Sequence, residues 1–165
     1  MRISKLIFIF SVSFSVSLYA QFTNVTGKAF VNLIAPLSIT AVSGDLDFGE
    51  IILTGSAQTK KIPPRAGELF LITGHPSKYV TISFNNVQLD NYQWALATGG
   101  KTGKMIFKPK VILNNGKVIK SGDSEKLIKN GGLGKLNVWV GGKIRIKRNQ
   151  PQGDYIGLFV ISVSY

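Results

Sequence analysis

The sequence predicts an all-β protein, folded as a sandwich of two mainly antiparallel sheets. Apolar and polar residues alternate with a period of two along most of the chain, and glycine, asparagine and proline separate the alternating runs. No long stretch has the three-and-four spacing of an amphipathic helix. The chain has no cysteine, so apolar side chains must hold a protein of this size together without disulfide bonds. Two sheets that bury their inner faces against each other meet these conditions.

Strands are predicted wherever the alternation continues for several residues. They cover residues 25–40, 46–53, 60–62, 68–73, 79–84, 104–113, 117–120, 135–140, 143–147 and 155–164. Asn115-Gly116 and Gly141-Gly142 each separate two of these runs, and both dipeptides supply the positive φ angles that two-residue hairpin turns need. Residues 85–90 and 99–103 are predicted to be loops.

The last predicted strand lies within "GDYIGLFVISVSY". Its alternation places Tyr155, Gly157, Phe159, Ile161, Val163 and Tyr165 on one face, with Ile156, Leu158 and Val160 on the other. Both faces are apolar where the strand begins, and this predicts a central strand that is buried on two sides at its start.

The first twenty residues have the pattern of a secretory signal peptide. Arg2 and Lys5 precede an apolar run, and the small residue Ala20 stands at the expected cut point. A membrane anchor is the alternative, but four serines interrupt the run, whereas a span needs about 18 apolar residues. We therefore expect cleavage of residues 1–20 and a single domain of residues 21–165, located in the periplasm, on the cell surface or outside the cell. No later segment is long and apolar enough to predict an integral membrane protein.

Several motifs carry a family resemblance. They are "IAPLSIT" followed by "DLDFGEI", then "AGELFLITGHPSKYVTISF", and near the end "VGGKI", "NQPQGDYIG" and alternating apolar residues up to Tyr165. With these motifs the chain resembles the bacterial exported family catalogued as domain of unknown function 4402. More distantly, the D-x-F-G element and the closing strand are similar to spore coat protein U and to subunits of chaperone-usher pili. The resemblance implies a secreted, immunoglobulin-like β-sandwich with no established activity, and we expect the motif residues to determine the fold.

Residues suited to catalysis are few. The one histidine, His75, lies in the turn sequence "TGHPS", and no nucleophile motif accompanies it, so a Ser-His-Asp triad is disfavoured. A zinc site built on histidines is excluded because it needs several of them. Asp45, Asp47 and Glu50 could offer oxygens to calcium, but without the spacing of an EF-hand a solvated strand edge is the better account. Phosphate-binding glycine loops are absent too, so we expect no enzyme, no metal and no cofactor.

Charge is unevenly distributed along the chain. The formal net charge is +12, and the segment from Lys101 to Arg148 holds 13 basic residues against 2 acidic ones. Strand alternation places many of these cations on one side of the sandwich. The candidate polyanion-binding face consists of Lys108, Lys110, Lys143, Arg145, Lys147 and Arg148.

Three interpretations of this basic face compete. Lysine on exposed strands can simply oppose aggregation. Alternatively, the face can attract polyanions outside the cell, such as lipopolysaccharide or acidic polysaccharide. Nucleic acid is disfavoured, because the signal peptide directs the protein elsewhere and only Phe107 and Trp139 interleave aromatic rings with the charge.

The segment "VTGKAFVNL" resembles a strand that one pilin subunit donates to the next. Its apolar face consists of Val25, Gly27, Ala29, Val31 and Leu33. The simpler interpretation is that this is the domain's own first strand, and donation to a neighbouring copy by β-augmentation is the alternative.

From these observations we expect a non-enzymatic protein with a structural or adhesive role, whose partners are other copies or related surface subunits. The alternative function is a soluble binding module that recognises an anionic glycan or lipid through the basic face.

Overall fold

A computed structural model describes residue 28 and residues 30–165, and in this part of the chain the alternating runs form strands. The strands are β1 (Ser38–Ala41), β2 (Gln58–Ile62), β3 (Glu68–Gly74), β4 (Tyr79–Phe84), β5 (Val87–Asp90), β6 (Lys104–Leu113), β7 (Val118–Ile119), β8 (Asp123–Lys126), β9 (Ile128–Asn130), β10 (Leu133–Ile146) and β11 (Ile161–Ser164). A 3-10 turn (Pro64–Ala66) and a helix, α1 (Tyr92–Thr98), complete the regular structure. The predicted signal peptide lies outside the described residues.

The strands form two antiparallel sheets, which confirms the predicted all-β sandwich. The large sheet has the order β1-β3-β10-β6-β5, with β2 and β9 also paired to β10 and β7 paired to β6. The small sheet has the order β11-β4-β8. No helix among the described residues is both long enough and apolar enough to cross a bilayer.

Strand alternation decides which side chains reach the core. On β6, Met105 and Phe107 are buried, whereas Lys104, Ile106 and Lys108 point to the opposite, outer face of the large sheet. Two clusters result: one lies between both sheets, and the other surrounds Met105, Phe107, Ile144 and Ile146. The ring of Phe159 packs against both clusters.

The hairpin predicted at Gly141-Gly142 is wrong, because β10 runs without interruption through both glycines. One neighbour of β10 changes at this point, from β3, which ends its pairing at Val140, to β2, which begins at Gly142. A Cβ atom on Gly141 would lie 2.4 Å from the carbonyl oxygen of Ile62, where the chain leaves β2. The glycines therefore permit a close crossing of two chain segments. The hairpin predicted at Asn115-Gly116 is present, between β6 and β7.

The strand predicted at residues 46–53 does not form. Leu46, Phe48 and Ile51 still turn inward and pack on the second core cluster, but the segment makes no ladder with another strand among the described residues. At Gly49 the backbone takes a positive φ of 65°, and the Gly49 N–H donates to a carboxylate oxygen of Asp47 at 2.7 Å. The inward side chains thus follow the predicted alternation, although no described strand pairs with this segment.

The end of the chain also differs from its prediction. Among the strands that the structure describes, β11 pairs only with β4, so it is an edge strand and not a central one. Before β11, Ile156 forms an isolated antiparallel bridge with Asp90 of β5. Strand β5 itself lies within residues 85–90, where a loop was predicted. Between this bridge and β11, residues 157–160 form no ladder with another described segment. The last segment therefore crosses from the large sheet to the small sheet.

Helix α1 was missed by the sequence analysis. It has seven residues, and Ala95 is its buried side chain. Asn91, which precedes it, is itself buried and fixes the surrounding loops: its amide nitrogen donates to the carbonyls of Lys101 and Gln152, and its amide oxygen accepts from the N–H of Gly103. The helix ends at Gly99, which has a left-handed conformation.

The strand predicted over residues 25–40 is much shorter than expected, since it is limited to β1 in the described residues. Residues 30–37 lie outside any strand. Of the apolar face proposed for this segment, Val31 and Leu33 are exposed, while Val25, Gly27 and Ala29 lie outside the described residues.

Candidate functional site

His75, the one candidate for acid-base catalysis, takes part in a structural contact. Its Nδ1 atom accepts from the backbone N–H of Ala35 at 3.4 Å, and its own backbone N–H donates to the hydroxyl of Tyr165 at 2.7 Å. The Tyr165 hydroxyl in turn donates to the carbonyl of Ala35. No carboxylate lies within salt-bridge distance of His75 among the described residues. His75 thus contacts Ala35 through its imidazole and Tyr165 through its backbone, and these bonds join the segment before β1 to the end of the described chain.

The acidic residues of the "DLDFGEI" motif were the candidates for a metal site. Within the described part of the chain, no three carboxylate or imidazole groups are close enough together to hold a metal ion. Asp47 stabilises the turn at Gly49. Glu68 begins β3, where burial and the nearby carboxylate of Asp45 raise its pKa.

The last segment of the chain has an open edge, and we call it the open edge: β11 of the small sheet together with residues 156–160, which lead to it from β5 of the large sheet. Ile156, Leu158 and Val160 are 72%, 82% and 60% exposed, while Tyr155, Phe159 and Ile161 turn inward. The backbone groups of residues 157–160 have no backbone partner among the described residues. A groove of about 380 Å³ separates Leu158 and Val160 from the start of β5.

The open edge lacks the features that normally protect an edge strand. Such strands are commonly blocked by charged side chains, proline or bulges, because unpaired N–H and C=O groups invite another strand. Of the other edges, β2 carries Lys60 and Lys61, and β8 carries Asp123, Glu125 and Lys126. Residues 156–165 contain neither a charge nor a proline. This edge therefore lacks the charges and prolines that commonly oppose pairing with a further strand.

The second surface lies on the outer face of the large sheet, and we call it the basic groove. Its volume is about 940 Å³, and its cations are Lys104, Lys108, Lys143, Arg145, Lys147 and Arg148. Strands β6 and β10 position Lys104, Lys108, Lys143 and Arg145, because outward residues alternate with buried ones along both strands, and Lys147 and Arg148 follow directly after β10. All six side chains are exposed.

The groove brings together five of the six residues proposed from the sequence. Lys110 lies on the same face but opposite Gly141, outside the groove. Lys104 was not among the proposed residues, although its position four residues before Lys108 on one strand was a usable signal. The two aromatic residues noted among the charges do not line it: Phe107 is buried in the core, and Trp139 lies further along the outer face opposite Ile112.

Comparison with known protein families gives a match over most of the chain. The family model described as "Domain of unknown function (DUF4402)" matches residues 37–165. The chain belongs to this family. The DUF4402 match covers all eleven strands and both surfaces described above. No curated protein and no solved structure matches the chain. The more distant resemblance to spore coat protein U and to pilus subunits stays a prediction.

The terminal motif of this DUF4402 protein consists of packing residues. The Tyr155 hydroxyl donates to the carbonyl of Pro151 and accepts from the side-chain amide of Gln150. A Cβ atom on Gly153 would lie 2.6 Å from the Trp94 ring. Gly157 allows the last segment to approach β5, since a Cβ there would lie 2.6 Å from the carbonyl oxygen of Gln88. These contacts explain the motif residues by packing and hydrogen bonding.

Proposed function

We propose that this protein is an exported, non-enzymatic subunit that assembles with other copies of itself at the cell surface. The observation that carries the proposal is the open edge: an uncharged edge strand that continues into exposed Ile156, Leu158 and Val160. Adding a strand there would satisfy free backbone groups and cover apolar side chains together.

The N-terminal segment of a second copy is the strand that fits this edge. Residues 25–33 alternate apolar and polar side chains, as an added strand requires. Phe30, Val31 and Leu33 are exposed and lie outside any strand. We therefore assign the apolar face of Val25, Gly27, Ala29, Val31 and Leu33 to strand donation. In this arrangement its side chains would become cross-strand neighbours of the open edge.

Matched charge insertions test the proposal. The exported protein is purified and its mass distribution measured by size-exclusion chromatography with light scattering, followed by negative-stain microscopy. Leu158→Lys places a charge in the open edge, and Leu96→Lys, on an exposed helix position, is the control. We expect ladders or fibres from the wild type and from Leu96→Lys, and monomers from Leu158→Lys. A synthetic peptide of residues 25–33 should inhibit assembly, whereas a scrambled peptide should not.

Two results would count against this function. A wild type that stays monomeric at high concentration would remove the assembly role. Assembly that survives Leu158→Lys and ignores the peptide would show that another surface makes the contact. Thermal unfolding of both variants verifies that neither change acts by unfolding the domain.

A further inference from the structure

The basic groove has a charge arrangement that costs folding stability. Lys143 on β10 lies directly opposite Lys108 on β6 and directly opposite Lys61 on β2. Side chains in such cross-strand pairs have Cβ atoms about 4.5–5.5 Å apart, and like charges placed there repel. Three lysines thus stand side by side across three neighbouring strands.

No carboxylate relieves this repulsion within the described residues. The salt bridge that the structure contains joins Lys117 to Glu125, away from the groove. Asp90 on β5 lies opposite Lys104 on β6, but its carboxylate accepts from the backbone N–H of Tyr92 and makes no ion pair with Lys104. None of the six cationic side chains of the groove donates a hydrogen bond to another described residue. The cations are free to bind an external anion.

The spacing of the cations favours an extended ligand with several charges. Alternate residues on a strand are about 6.8 Å apart, so Lys104 and Lys108 are about 14 Å apart along β6, and β2 and β6 are about 10 Å apart across β10. A single phosphate group cannot reach cations spread over this area. A polymer with repeated anionic groups can meet several of them together.

The floor of the groove indicates which kind of polymer fits. Ile106 is partly exposed between the cations, and Gln58 and Thr59 add polar groups from β2. Sugar rings offer apolar C–H faces and hydroxyl groups to such a floor. No aromatic side chain among the described residues lines the groove, whereas single-stranded nucleic acid binding depends on stacking of bases on aromatic rings.

We propose that the basic groove binds an acidic polysaccharide, with Lys108, Lys143 and Arg145 at its centre. Lysine supplies point charges without a fixed geometry, so charge density along the polymer determines affinity more than the shape of one sugar. Binding would also neutralise the row of opposed lysines.

The experiment compares two double variants with equal charge changes. Lys143→Glu with Arg145→Glu reverses the centre of the groove, and Lys78→Glu with Lys126→Glu reverses two exposed cations beside β4 and on β8 of the small sheet. All proteins carry Leu158→Lys, so that failure of binding and failure of assembly can be told apart. The probes are polygalacturonate, heparin, neutral dextran, single-stranded DNA and anionic lipid vesicles, measured by calorimetry at 50 and 300 mM salt.

We expect the acidic polysaccharides to bind, neutral dextran not to bind, and affinity to fall at the higher salt concentration. The groove variant should bind about 10- to 30-fold more weakly, and the small-sheet variant should stay within about threefold of its parent. Equal losses in both variants would overturn the proposal in favour of a net-charge effect. Stronger binding to DNA or vesicles than to polysaccharide would overturn the ligand class.

A stability measurement provides an independent readout. Lys143→Gln removes the central charge of the opposed row, so at low salt its melting temperature should exceed that of the wild type. Added polygalacturonate should raise the melting temperature of the wild type more than that of the variant. A lower melting temperature for Lys143→Gln at low salt would contradict the repulsion on which the inference rests.

Discussion

Gly141→Ala tests the crossing of β2 and β10 that replaced the predicted hairpin. An ideal Cβ at Gly141 would lie 2.4 Å from the Ile62 carbonyl oxygen, 2.7 Å from the Pro64 nitrogen and 2.8 Å from the Pro63 carbonyl carbon. All three are backbone atoms, so the chain must shift by about 1 Å, and overpacking of this kind costs about 1–3 kcal/mol. For a domain of this size we expect a melting temperature lower by about 4–12 °C.

Gly44→Ala is the matched control. No atom of the described residues lies within 4 Å of its ideal Cβ, and its φ is not positive. The same chemical change there restricts only the unfolded chain, and should stabilise by about 0.4–1 kcal/mol. Urea unfolding followed by tryptophan fluorescence and circular dichroism measures both variants. Equal midpoints for the two alanine variants would refute the close crossing. Gly141→Asn adds a second criterion, because a hairpin turn would accept asparagine and a crowded strand would not.

Three further substitutions test the core and its polar supports. Phe159→Ala should destabilise by about 2–3 kcal/mol in urea, since one half-buried ring joins both core clusters. Asn91→Ala should cost about 2–3 kcal/mol by the same assay, because it leaves buried carbonyl and N–H groups without partners. Glu68→Gln should raise the melting temperature at pH 7. The raised pKa of Glu68 means that the folded protein holds this proton more tightly, so stability falls as pH rises from about 4.3 through the folded pKa. Below that interval the two proteins should melt alike.

The strands that the sequence predicted best are those whose own alternation decides their structure. Residues 79–84 and 104–113 were predicted with the bounds that β4 and β6 have. Segment 46–53 shows the limit of this reasoning. Leu46 and Phe48 do turn inward, but a strand also needs a neighbour with free backbone groups, and no local pattern reports one.

The other errors have the same physical origin. Gly141-Gly142 has the composition of a hairpin turn, and only the position of Ile62, far away in the sequence, explains the glycines differently. Helix α1 extends over barely two turns, too short for a helical period to be visible. The exposed row at Ile156, Leu158 and Val160 was predicted to be buried, because composition cannot show which strand stands at an edge.

The candidate surfaces were predictable to different degrees. Alternation alone placed Lys143, Arg145 and Lys108 on an outer face. The direct opposition of Lys143 to Lys61 and Lys108 depends on the pairing register, which links β2, β6 and β10 across more than eighty residues. Strand alternation was thus enough to predict the charged face, whereas the groove depends on which strands pair and in which register.

The two proposed surfaces lead to a combined prediction, because they share no residue. A strand added at the open edge extends the small sheet and leaves the outer face of the large sheet uncovered, so each subunit of an assembly would keep its basic groove. A long polysaccharide could then occupy several grooves, and linked sites of this kind raise overall affinity by about 10²–10⁴ without new contacts. Assembled wild type should therefore bind long polygalacturonate at least about tenfold more tightly than Leu158→Lys, whereas an oligosaccharide long enough for one groove should bind both equally. Calorimetry with chains of defined length measures this difference. Equal affinity of both proteins for the long polymer would mean that assembly and polysaccharide binding do not act together.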